Sequence, residues 1–392
     1  MVIAVAGCIG QMSGEAIFKR APFVDLVLGP RAVKNLPELI ERAKIQRTID
    51  TNLYEDSVRF GYDTATRNSP GKAWITVMEG CNKTCTYCIV PTTRGRETHR
   101  PFAELLDAAK SLADRGFVEI ELLGQNVNAW EDEGRGLSTK KRDFADLCRA
   151  IARVPGIRRV RFMTSHPLHF TERIAAVMAE EPAMCPYLHL PVQSGSDRVL
   201  KAMKRGYTRA WFLDKIAMAR ERVPNLSVSS DLIVAFPGET EEEFAESLQL
   251  VEDARFDFLF SFLYSARPGT VAAAMEPVPM EVAKARHMRL FELQAGIQAY
   301  RMQSFMDTTA EVLVDGRDER GEPIPEGWHR YYGRDRHWKT VVFTSPLPLT
   351  LGSLAEVKID HASPHQLKGS LTTAIVPEIP FQPAFKIALP VA

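Results

Sequence analysis

The sequence predicts an α/β protein whose central region is an open parallel β-sheet of six strands, a partial (βα)6 barrel, followed by a small all-β barrel. Short apolar runs alternate with amphipathic helical patterns from residue 73 onward, and parallel strands need such helical crossovers. Six strand–helix units suit an open partial barrel better than a closed eight-stranded one. After residue 303 the pattern changes to short strands separated by glycine and proline, which indicates an all-β domain.

Residues 1–48 carry a short α/β pattern of their own. Apolar strand-like runs and helical patterns alternate there, at 2–6, 13–20, 24–28 and 37–43. A central-type strand at residue 2 has no preceding partner, so we expect this segment to be the later part of an N-terminal domain. Residues 49–72 lose periodicity and contain Asn68-Ser69-Pro70-Gly71, which predicts a linker.

Residues 73–303 form the predicted barrel. Candidate strands lie at 74–79, 118–123, 158–164, 186–190, 227–235 and 257–264. Helical patterns follow them at 102–115, 143–153, 171–179, 208–222, 240–254 and, as one long amphipathic helix, 280–303. Residues 304–376 predict the small β-barrel, with strands at 309–314, 338–343, 355–359 and 368–375, and residues 377–392 a tail.

Composition excludes several classes of protein. The 49 Lys and Arg residues balance 49 Asp and Glu, so any nucleic-acid site must be local rather than a property of the whole chain. No run of about 18 apolar residues exists, so we expect no membrane span. The first ten residues lack the basic start of a secretory signal, and the six cysteines do not form the pattern of a disulfide scaffold. We therefore expect a cytoplasmic protein.

The strongest motif is EGCNKTCTYC at residues 79–88, which spaces three cysteines as C-x3-C-x2-C. Cys81, Cys85 and Cys88 follow the first predicted barrel strand, and β/α barrels carry their chemistry on loops at the carboxyl ends of strands. Three thiolates can hold a 4Fe-4S cluster and leave one iron open for another ligand. The alternatives are free thiols or a structural zinc loop, which would need a fourth ligand such as His99.

This motif in this fold resembles the radical S-adenosylmethionine (SAM) enzymes, and the wider sequence resembles their methylthiotransferase family. Within that family it is most similar to the MiaB-type branch, which makes 2-methylthio-N6-dimethylallyladenosine in tRNA. The matching segments are MEGCNKTCTYCIVPTTRGRE (78–97), LLGQNVNAW (122–130), FMTSHP (162–167), LHLPVQSGSDRVLKAMKRGYT (188–208), SSDLIVAFPGETEEEF (229–244) and YSARPGT (264–270). The resemblance makes residues 73–303 a radical SAM domain and residues 304–376 an RNA-binding TRAM domain. It matches residues 1–45 only to the later part of the family's N-terminal domain.

The resemblance also implies the cofactors and the residues that bind them. Cys81, Cys85 and Cys88 would hold a 4Fe-4S cluster whose open iron chelates S-adenosyl-L-methionine, and cleavage of SAM would release a 5′-deoxyadenosyl radical. The SAM contacts would come from an aromatic residue in the cysteine motif and from polar or small groups at successive strand ends, namely Tyr87, Gln125, Asn126, Ser165, Gln193, Ser194, Gly195 and Asp231.

Cys8 is the candidate ligand of a second, auxiliary 4Fe-4S cluster. In the family three cysteines of the N-terminal domain bind that cluster, and Gly7-Cys8-Ile9-Gly10-Gln11 matches the third of them. The other two have no counterpart in this sequence, so we expect a second cluster only in a longer chain. Cys148 and Cys185 are expected to be packed thiols.

Three local groups are candidate RNA contacts. Two are basic clusters, Lys83, Arg94, Arg96 and Arg100, and Lys201, Lys204, Arg205 and Arg209. The third interleaves aromatic rings with cations, as small barrels that grip RNA do, and contains Trp328, His329, Arg330, Tyr331, Tyr332, Arg334, Arg336, Trp338 and Lys339. The alternatives are a solvated charged face for the basic clusters and core or hairpin contacts for the aromatic residues.

The function that the resemblance implies is methylthiolation at C2 of N6-isopentenyladenosine beside the tRNA anticodon, at position 37. The tRNA anticodon stem-loop would be the substrate, flavodoxin or ferredoxin the electron donor, and iron–sulfur assembly proteins further partners of a monomeric chain. One alternative is methylthiolation of threonylcarbamoyladenosine in tRNA or of a ribosomal protein. Another is a non-catalytic RNA-binding protein with a structural metal, a decayed paralogue of the enzyme.

Overall fold

The computed structural model describes residues 1–54, 69–132, 141–319 and 323–375. The predicted tail at 377–392 and residues 55–68 of the predicted linker lie outside this part of the chain. Within it, the expected α/β architecture is confirmed, and a closed five-stranded β-barrel stands at the carboxyl-terminal end. Among the described helices, none is long and apolar enough to cross a bilayer.

The first unit is a three-stranded parallel sheet with helices on both faces. Its elements are β1 (Ala4–Ala6), α1 (Cys8–Ser13), α2 (Ala16–Arg20), β2 (Leu26–Leu28), α3 (Leu36–Ala43) and β3 (Thr48–Asp50), with strand order β1-β2-β3. Strand β2 is apolar throughout because Leu26 and Leu28 pack beneath α3 while Val27 packs against α2. Gly14, with φ 46°, interrupts the helix expected at 13–20. Strand β3 is an element that the sequence analysis did not predict.

The central region alternates strands and helices as expected. Its elements are β4 (Lys72–Thr76), β5 (Met78–Glu79), α4 (Val90–Arg94), β6 (Thr98–His99), α5 (Phe102–Asp114), β7 (Glu119–Leu123), β8 (Glu131–Asp132), β9 (Arg142–Asp143), α6 (Phe144–Ala152), β10 (Arg159–Phe162), α7 (Glu172–Glu180), β11 (Tyr187–His189), α8 (Asp197–Ala202), α9 (Arg209–Arg222), β12 (Ser227–Val234), α10 (Glu241–Ala254), β13 (Phe258–Leu263) and α11 (Met280–Gln303). Two parallel sheets, β4-β7-β10 and β11-β12-β13, are joined by a parallel bridge between Val160 and Met184. The parallel strands β4, β7, β10, β11, β12 and β13 thus follow each other in chain order.

The two faces of this sheet differ because successive side chains along a strand point to opposite sides. Ile120 and Val160 point outward into the main core beneath the helices. Lys72, Glu119 and Arg159 share one register position on the inner face, where the Glu119 carboxylate forms ion pairs with Arg159 Nε at 2.9 Å and with Lys72 Nζ at 3.7 Å. Burial alone would raise the pKa of Glu119, but the surrounding cations outweigh it and lower the pKa to about 2. The inner face therefore carries compensated charge at the amino-terminal ends of its strands.

The carboxyl-terminal barrel contains one more strand than the sequence pattern indicated. Its strands are β14 (Thr309–Arg317), β15 (His329–Asp335), β16 (Thr340–Ser345), β17 (Leu354–Ala362) and β18 (Leu367–Ile375), closed in the order β14-β15-β16-β18-β17. Strand β15 was missed because its sequence, HRYYGRD, has no aliphatic side chain. Tyr331 alone carries it into the core, where its ring lies against Phe343 at a centroid distance of 5.9 Å.

A turn of this barrel, residues 335–339, docks on the amino-terminal ends of the parallel strands. The Trp338 ring stacks on Tyr187 of β11 at 5.6 Å, with an interplanar angle of 17°. Arg161 of β10 donates to the backbone carbonyl of Asp335, and its guanidinium lies 5.2 Å from the Trp338 ring centroid. Lys339 is buried and its Nζ lies 2.8 Å from Asp257 Oδ1, just before β13. These contacts form the interface between the carboxyl-terminal barrel and the amino-terminal ends of the parallel strands.

This docking corrects part of the RNA-binding interpretation. Tyr331 belongs to the barrel core, and Trp338 and Lys339 belong to the interface with the parallel sheet. Arg336 likewise donates to the backbone carbonyls of Pro182 and Met184. The alternation of aromatic and cationic residues correctly indicated a contact surface. These four residues, however, contact other parts of the same protein and are not available to RNA.

Candidate active site

The three motif cysteines lie on the loop between β5 and α4, at the carboxyl end of the first parallel strand. Cys81, Cys85 and Cys88 are free and half-buried. Burial raises the pKa of both Cys81 and Cys88, and the negative charge of the neighbouring thiolates raises each further. The part of the chain that the structure describes holds no three His, Cys, Asp or Glu side chains gathered closely enough for a single metal ion. The thiolates of one 4Fe-4S cluster bind different irons, so they stand further apart than the ligands of one ion.

Residues from later strands hold this loop in place. The backbone N–H of Gly80 donates to Gln125 Oε1 at 2.6 Å, which ties the residue before Cys81 to the end of β7. Gly80 has φ 79°, and an added Cβ would lie 2.1 Å from the carbonyl oxygen of Arg96, so only glycine fits. Asn126 Nδ2 donates to Glu97, whose carboxylate also accepts from the Asn82 backbone N–H. The structure therefore places Gln125 and Asn126 as supports of the cysteine loop.

A buried arginine stands beside the cysteines. Arg205 Nη1 donates to Cys85 Sγ and to Tyr87 Oη, each at 3.5 Å. Its remaining contacts are with Tyr207 Oη and the backbone carbonyl of Pro191. Within the described residues no carboxylate pairs with this cation, and burying an unpaired charge is costly. An anionic cluster on the cysteines would supply the missing counter-charge. In the sequence Arg205 belongs to a basic cluster that is either a candidate RNA contact or a solvated face, and the burial of Arg205 corrects both interpretations for this residue.

Several buried polar atoms around the loop lack hydrogen-bond partners among the residues that the structure describes. They are Asn126 Oδ1, Ser165 Oγ and His169 Nε2. Native proteins leave few such groups unpaired, and unpaired ones at strand ends indicate a polar ligand. Nearby, burial together with Arg205 and Lys83 lowers the pKa of His166 to about 2, so this ring stays neutral. The cysteines with Arg205, and the unpaired polar atoms beside them, thus fit the two groups that the family resemblance implies: an anionic iron–sulfur cluster and a small polar cofactor next to it.

Residues 193–196 bend between β11 and α8. Gln193 has φ 81° and pairs through its backbone with Asp231 and Ile233 of β12. Ser194 is fully buried, and its hydroxyl accepts from the Ser196 backbone N–H. These contacts give Ser194 a structural place in this segment, and the expected contacts of Gln193 and Ser194 with SAM stay predictions.

Gly195 packs directly against helix α10, and its replacement gives a stability prediction. An added Cβ would lie 2.5 Å from both the Glu246 carbonyl oxygen and the Ser247 Cα. We expect Gly195→Ala to lower the free energy of unfolding by about 1–3 kcal/mol through overpacking, as measured by urea denaturation. The matched control is Gly296→Ala in α11, where the added Cβ meets open space. That change should stabilise the helix by about 0.5–1 kcal/mol, and equal effects of the two variants would contradict the prediction.

Asp231 lies on the inner face of β12 and faces a histidine that the sequence analysis did not single out. His189 Nε2 is 3.4 Å from Asp231 Oδ1, and its Nδ1 contacts Ser229 Oγ at 2.8 Å. The alternation in β11 could have identified this histidine, because Leu188 and Leu190 pack outward in the main core and the residue between them must point inward. His189 and Asp231 therefore form a polar pair inside the sheet.

Cys8 is the first residue of α1 and is half-buried. Helix α1 contacts α4, the helix that follows the cysteine loop. The amino-terminal unit is further tied to that region by Arg31, which donates to the Arg96 carbonyl oxygen at 2.8 Å. Cys8 thus lies on the unit that adjoins the cysteine loop, while Cys148 and Cys185 are buried in the central domain.

Comparison with known proteins gives a consistent result. Residues 75–251 match the model of the radical SAM superfamily. The tRNA-2-methylthio-N(6)-dimethylallyladenosine synthase of Stutzerimonas stutzeri is 40% identical over 373 residues, which cover 95% of this chain and 82% of that protein. The enzyme of the same name from Thermobifida fusca is 42% identical over 371 residues, covering 94% and 74%.

A solved structure extends the likeness to the fold. The radical S-adenosylmethionine methyltransferase TsrM from Kitasatospora setae, with tryptophan substrate and a SAM analogue bound, superposes with a TM-score of 0.50. It is 18% identical in sequence, and the match covers 69% of this chain and 57% of TsrM. At this identity the likeness concerns the fold alone.

Proposed function

This chain belongs to the tRNA-2-methylthio-N(6)-dimethylallyladenosine synthase family of radical SAM proteins, and from that premise we propose that it transfers a methylthio group to C2 of N6-dimethylallyladenosine at tRNA position 37. It is a transferase that uses a 4Fe-4S cluster and SAM. The observation that carries the proposal is the cysteine loop at the carboxyl end of the sheet, beside a buried arginine that has no carboxylate partner among the residues the structure describes.

Each residue of the site has a proposed role. Cys81, Cys85 and Cys88 would ligate the cluster through their thiolates, and Arg205 would balance its negative charge. When bound, the cluster and SAM supply the radical chemistry that an unactivated C2–H bond requires. Ser165, whose hydroxyl lacks a partner among the described residues, would donate to SAM.

The remaining SAM contacts are proposed from their places around the loop. Tyr87 packs beside the cysteines against Val199 and Met203, where its ring would flank the adenine. The buried side-chain oxygen Oδ1 of Asn126 has no hydrogen-bond partner within the described part of the chain, and Asp231 faces the interior of the sheet beside His189. Four further residues would shape the site through their hydrogen bonds: Gln125 accepts from Gly80, Gln193 pairs with β12, Ser194 accepts from Ser196, and the Gly195 N–H donates to Ser247 Oγ.

The domain assignment is part of the proposal. Residues 73–303 would be a partial (βα)6 radical SAM barrel, and their parallel strands run in chain order as that fold requires. Residues 304–376 would be a TRAM domain, which the closed five-stranded barrel supports. Residues 1–48 would be part of the family's N-terminal domain, joined by a linker at 49–72, and Cys8 at the start of α1 would be its auxiliary-cluster ligand.

The proposed partners are the tRNA anticodon stem-loop as substrate, a flavodoxin or ferredoxin as electron donor, and iron–sulfur assembly proteins. The chain itself would be a monomer. After the docking residues are set aside, Trp328 and Tyr332 remain as exposed aromatic rings on the carboxyl-terminal barrel. Base stacking on such rings contributes about 1–3 kcal/mol per base. These two residues are the proposed tRNA contacts of the barrel.

Anaerobic purification and reaction tests the proposed function. The protein should be brown, contain iron and sulfide, and convert SAM to 5′-deoxyadenosine with a reductant. With tRNA that carries N6-dimethylallyladenosine, nucleoside mass spectrometry should detect the methylthio product. A colourless zinc protein that leaves SAM intact would instead identify the non-catalytic alternative, and product on threonylcarbamoyladenosine would identify the other substrate class.

A further inference from the structure

The last strand of the parallel sheet has one face covered and one face open. Strand β13 is the edge of its sheet, paired only with β12 among the described residues. Helix α11 packs on one face, where Leu259 and Leu263 join the main core and Ser261 Oγ lies 2.8 Å from His287 Nε2. Because side chains alternate along a strand, Phe258, Phe260 and Phe262 project to the opposite, inner face.

These three phenylalanines differ in what covers them. Phe258 lies at the bottom of the sheet, where Lys339 Nζ is 4.4 Å from its ring centroid. Phe260 is 42% exposed and Phe262 is 54% exposed, and they stand two residues apart on the same face. Adjacent exposed aromatic rings on the inside of a fold leave apolar area in water, and such patches mark binding sites.

The exposed rings lie between the polar pair and the cysteine loop. Phe260 is directly opposite Asp231 in the strand register, and its ring is 5.8 Å from that of His189. Phe262 is opposite Ile233, which packs in the same apolar cluster as Tyr87 of the cysteine motif. The apolar surface formed by Ile233, Phe260 and Phe262 thus runs along the open edge toward the proposed cluster.

We propose that this surface binds the dimethylallyl group of the substrate nucleoside and so selects the prenylated base. The inference rests on the proposed function. The dimethylallyl group is an apolar five-carbon substituent on a polar purine ring. A site for this nucleoside therefore needs an apolar pocket for the substituent and, beside it, polar groups that bind the ring. His189, whose ring lies 5.8 Å from that of Phe260, offers such a partner. The bound substrate would then cover the two rings, which explains why apolar side chains stand exposed at this edge of the sheet.

Binding of two RNAs tests the proposal with the holoenzyme. The probes are one anticodon stem-loop that carries N6-dimethylallyladenosine and the same stem-loop with plain adenosine, at fixed salt because phosphate contacts depend on it. We expect wild type to prefer the prenylated RNA. The Phe260→Ala/Phe262→Ala double variant should lose about tenfold or more of that preference and keep its affinity for the plain RNA. The Phe262→Leu variant should retain part of the preference because its side chain is still apolar.

Phe291→Ala is the matched control, since this phenylalanine is similarly exposed, at 57%, but lies on α11. It should leave the preference unchanged. A double variant with undiminished preference, or a wild type that binds both RNAs equally, would overturn the inference. The nucleoside product assay of the wild type tests the proposed function separately, because the binding comparison requires no turnover.

Discussion

Replacing Cys85 with serine is expected to remove the iron–sulfur cluster and with it the conversion of SAM to 5′-deoxyadenosine. In the proposed site the loop would provide one thiolate for each of three irons, and Cys85 is also the cysteine that Arg205 contacts. Removing a residue that hydrogen-bonds to a metal ligand typically lowers metal affinity or activity about 10- to 100-fold. Removing the ligand itself should lower them further. Iron and sulfide content, visible absorption and 5′-deoxyadenosine formation measure the result.

The control for this experiment is Cys148→Ala. Cys148 is fully buried in helix α6, remote from the cysteine loop in the sequence, and burial raises the pKa of its thiol. This variant should keep its cluster and its activity at the cost of some stability. If Cys85→Ser retained the iron content of Cys148→Ala, the three-thiolate assignment would be wrong.

Replacing Lys339 with methionine is expected to cause the largest loss of stability outside the active site. Lys339 and Asp257 form an ion pair that is completely buried, at 2.8 Å, between the carboxyl-terminal barrel and the parallel sheet. Removal of one partner leaves the other charge buried, which typically costs about 3–5 kcal/mol. Arg301 also contacts Asp257, at 3.1 Å, and should limit the loss to that range. Urea denaturation followed by circular dichroism measures the change.

The pair also predicts a pH dependence. Burial by itself would raise the pKa of Asp257, but Lys339 and Arg301 outweigh it and the net pKa is lowered. A lowered carboxyl pKa means that the stabilisation is present above the pKa of the unfolded chain and is lost as pH falls through the lowered pKa. Lys339→Met should therefore show less loss of stability on acidification than wild type does.

An exposed pair provides the comparison for Lys339→Met. Lys284 and Glu281 are three residues apart on the surface of α11, with Nζ and Oε1 3.0 Å apart. Exposed pairs contribute about 0–1 kcal/mol, so Lys284→Ala should change the unfolding midpoint little. A similarly small change for Lys339→Met would mean that the turn at 335–339 does not fasten the two domains.

Sequence patterns predicted most elements because those elements depend on local periodicity. The long helix α11 begins and ends where the amphipathic pattern does, at Met280–Gln303. Strand β12 was expected at 227–235 and is found at Ser227–Val234. Strand β15 was missed, since it reaches the core through the single aromatic residue Tyr331 and not through an aliphatic run.

The sequence predicted which residues lie at the candidate active site, but it did not predict what each of them contacts there. The cysteine spacing predicted a ligand loop, and the strand-end positions of Gln125 and Asn126 pointed to residues that the structure places beside that loop. Arg205 belonged to a run of basic residues that also suits a solvated surface. Only the fold brings it against Cys85, because the two residues are on different strand–helix units.

The order of strands and helices, the three-cysteine motif and the family resemblance follow from the amino-acid sequence alone, since they depend on spacing between neighbours along the chain. The tertiary structure decided which side chains meet across long separations. It buried Trp338 and Lys339 against the parallel sheet and left Phe260 and Phe262 exposed at its edge. The physical reason is that aromatic and charged side chains suit a protein interface, a core and a ligand site equally well. Their surroundings, which only the folded chain defines, determine which of these they form.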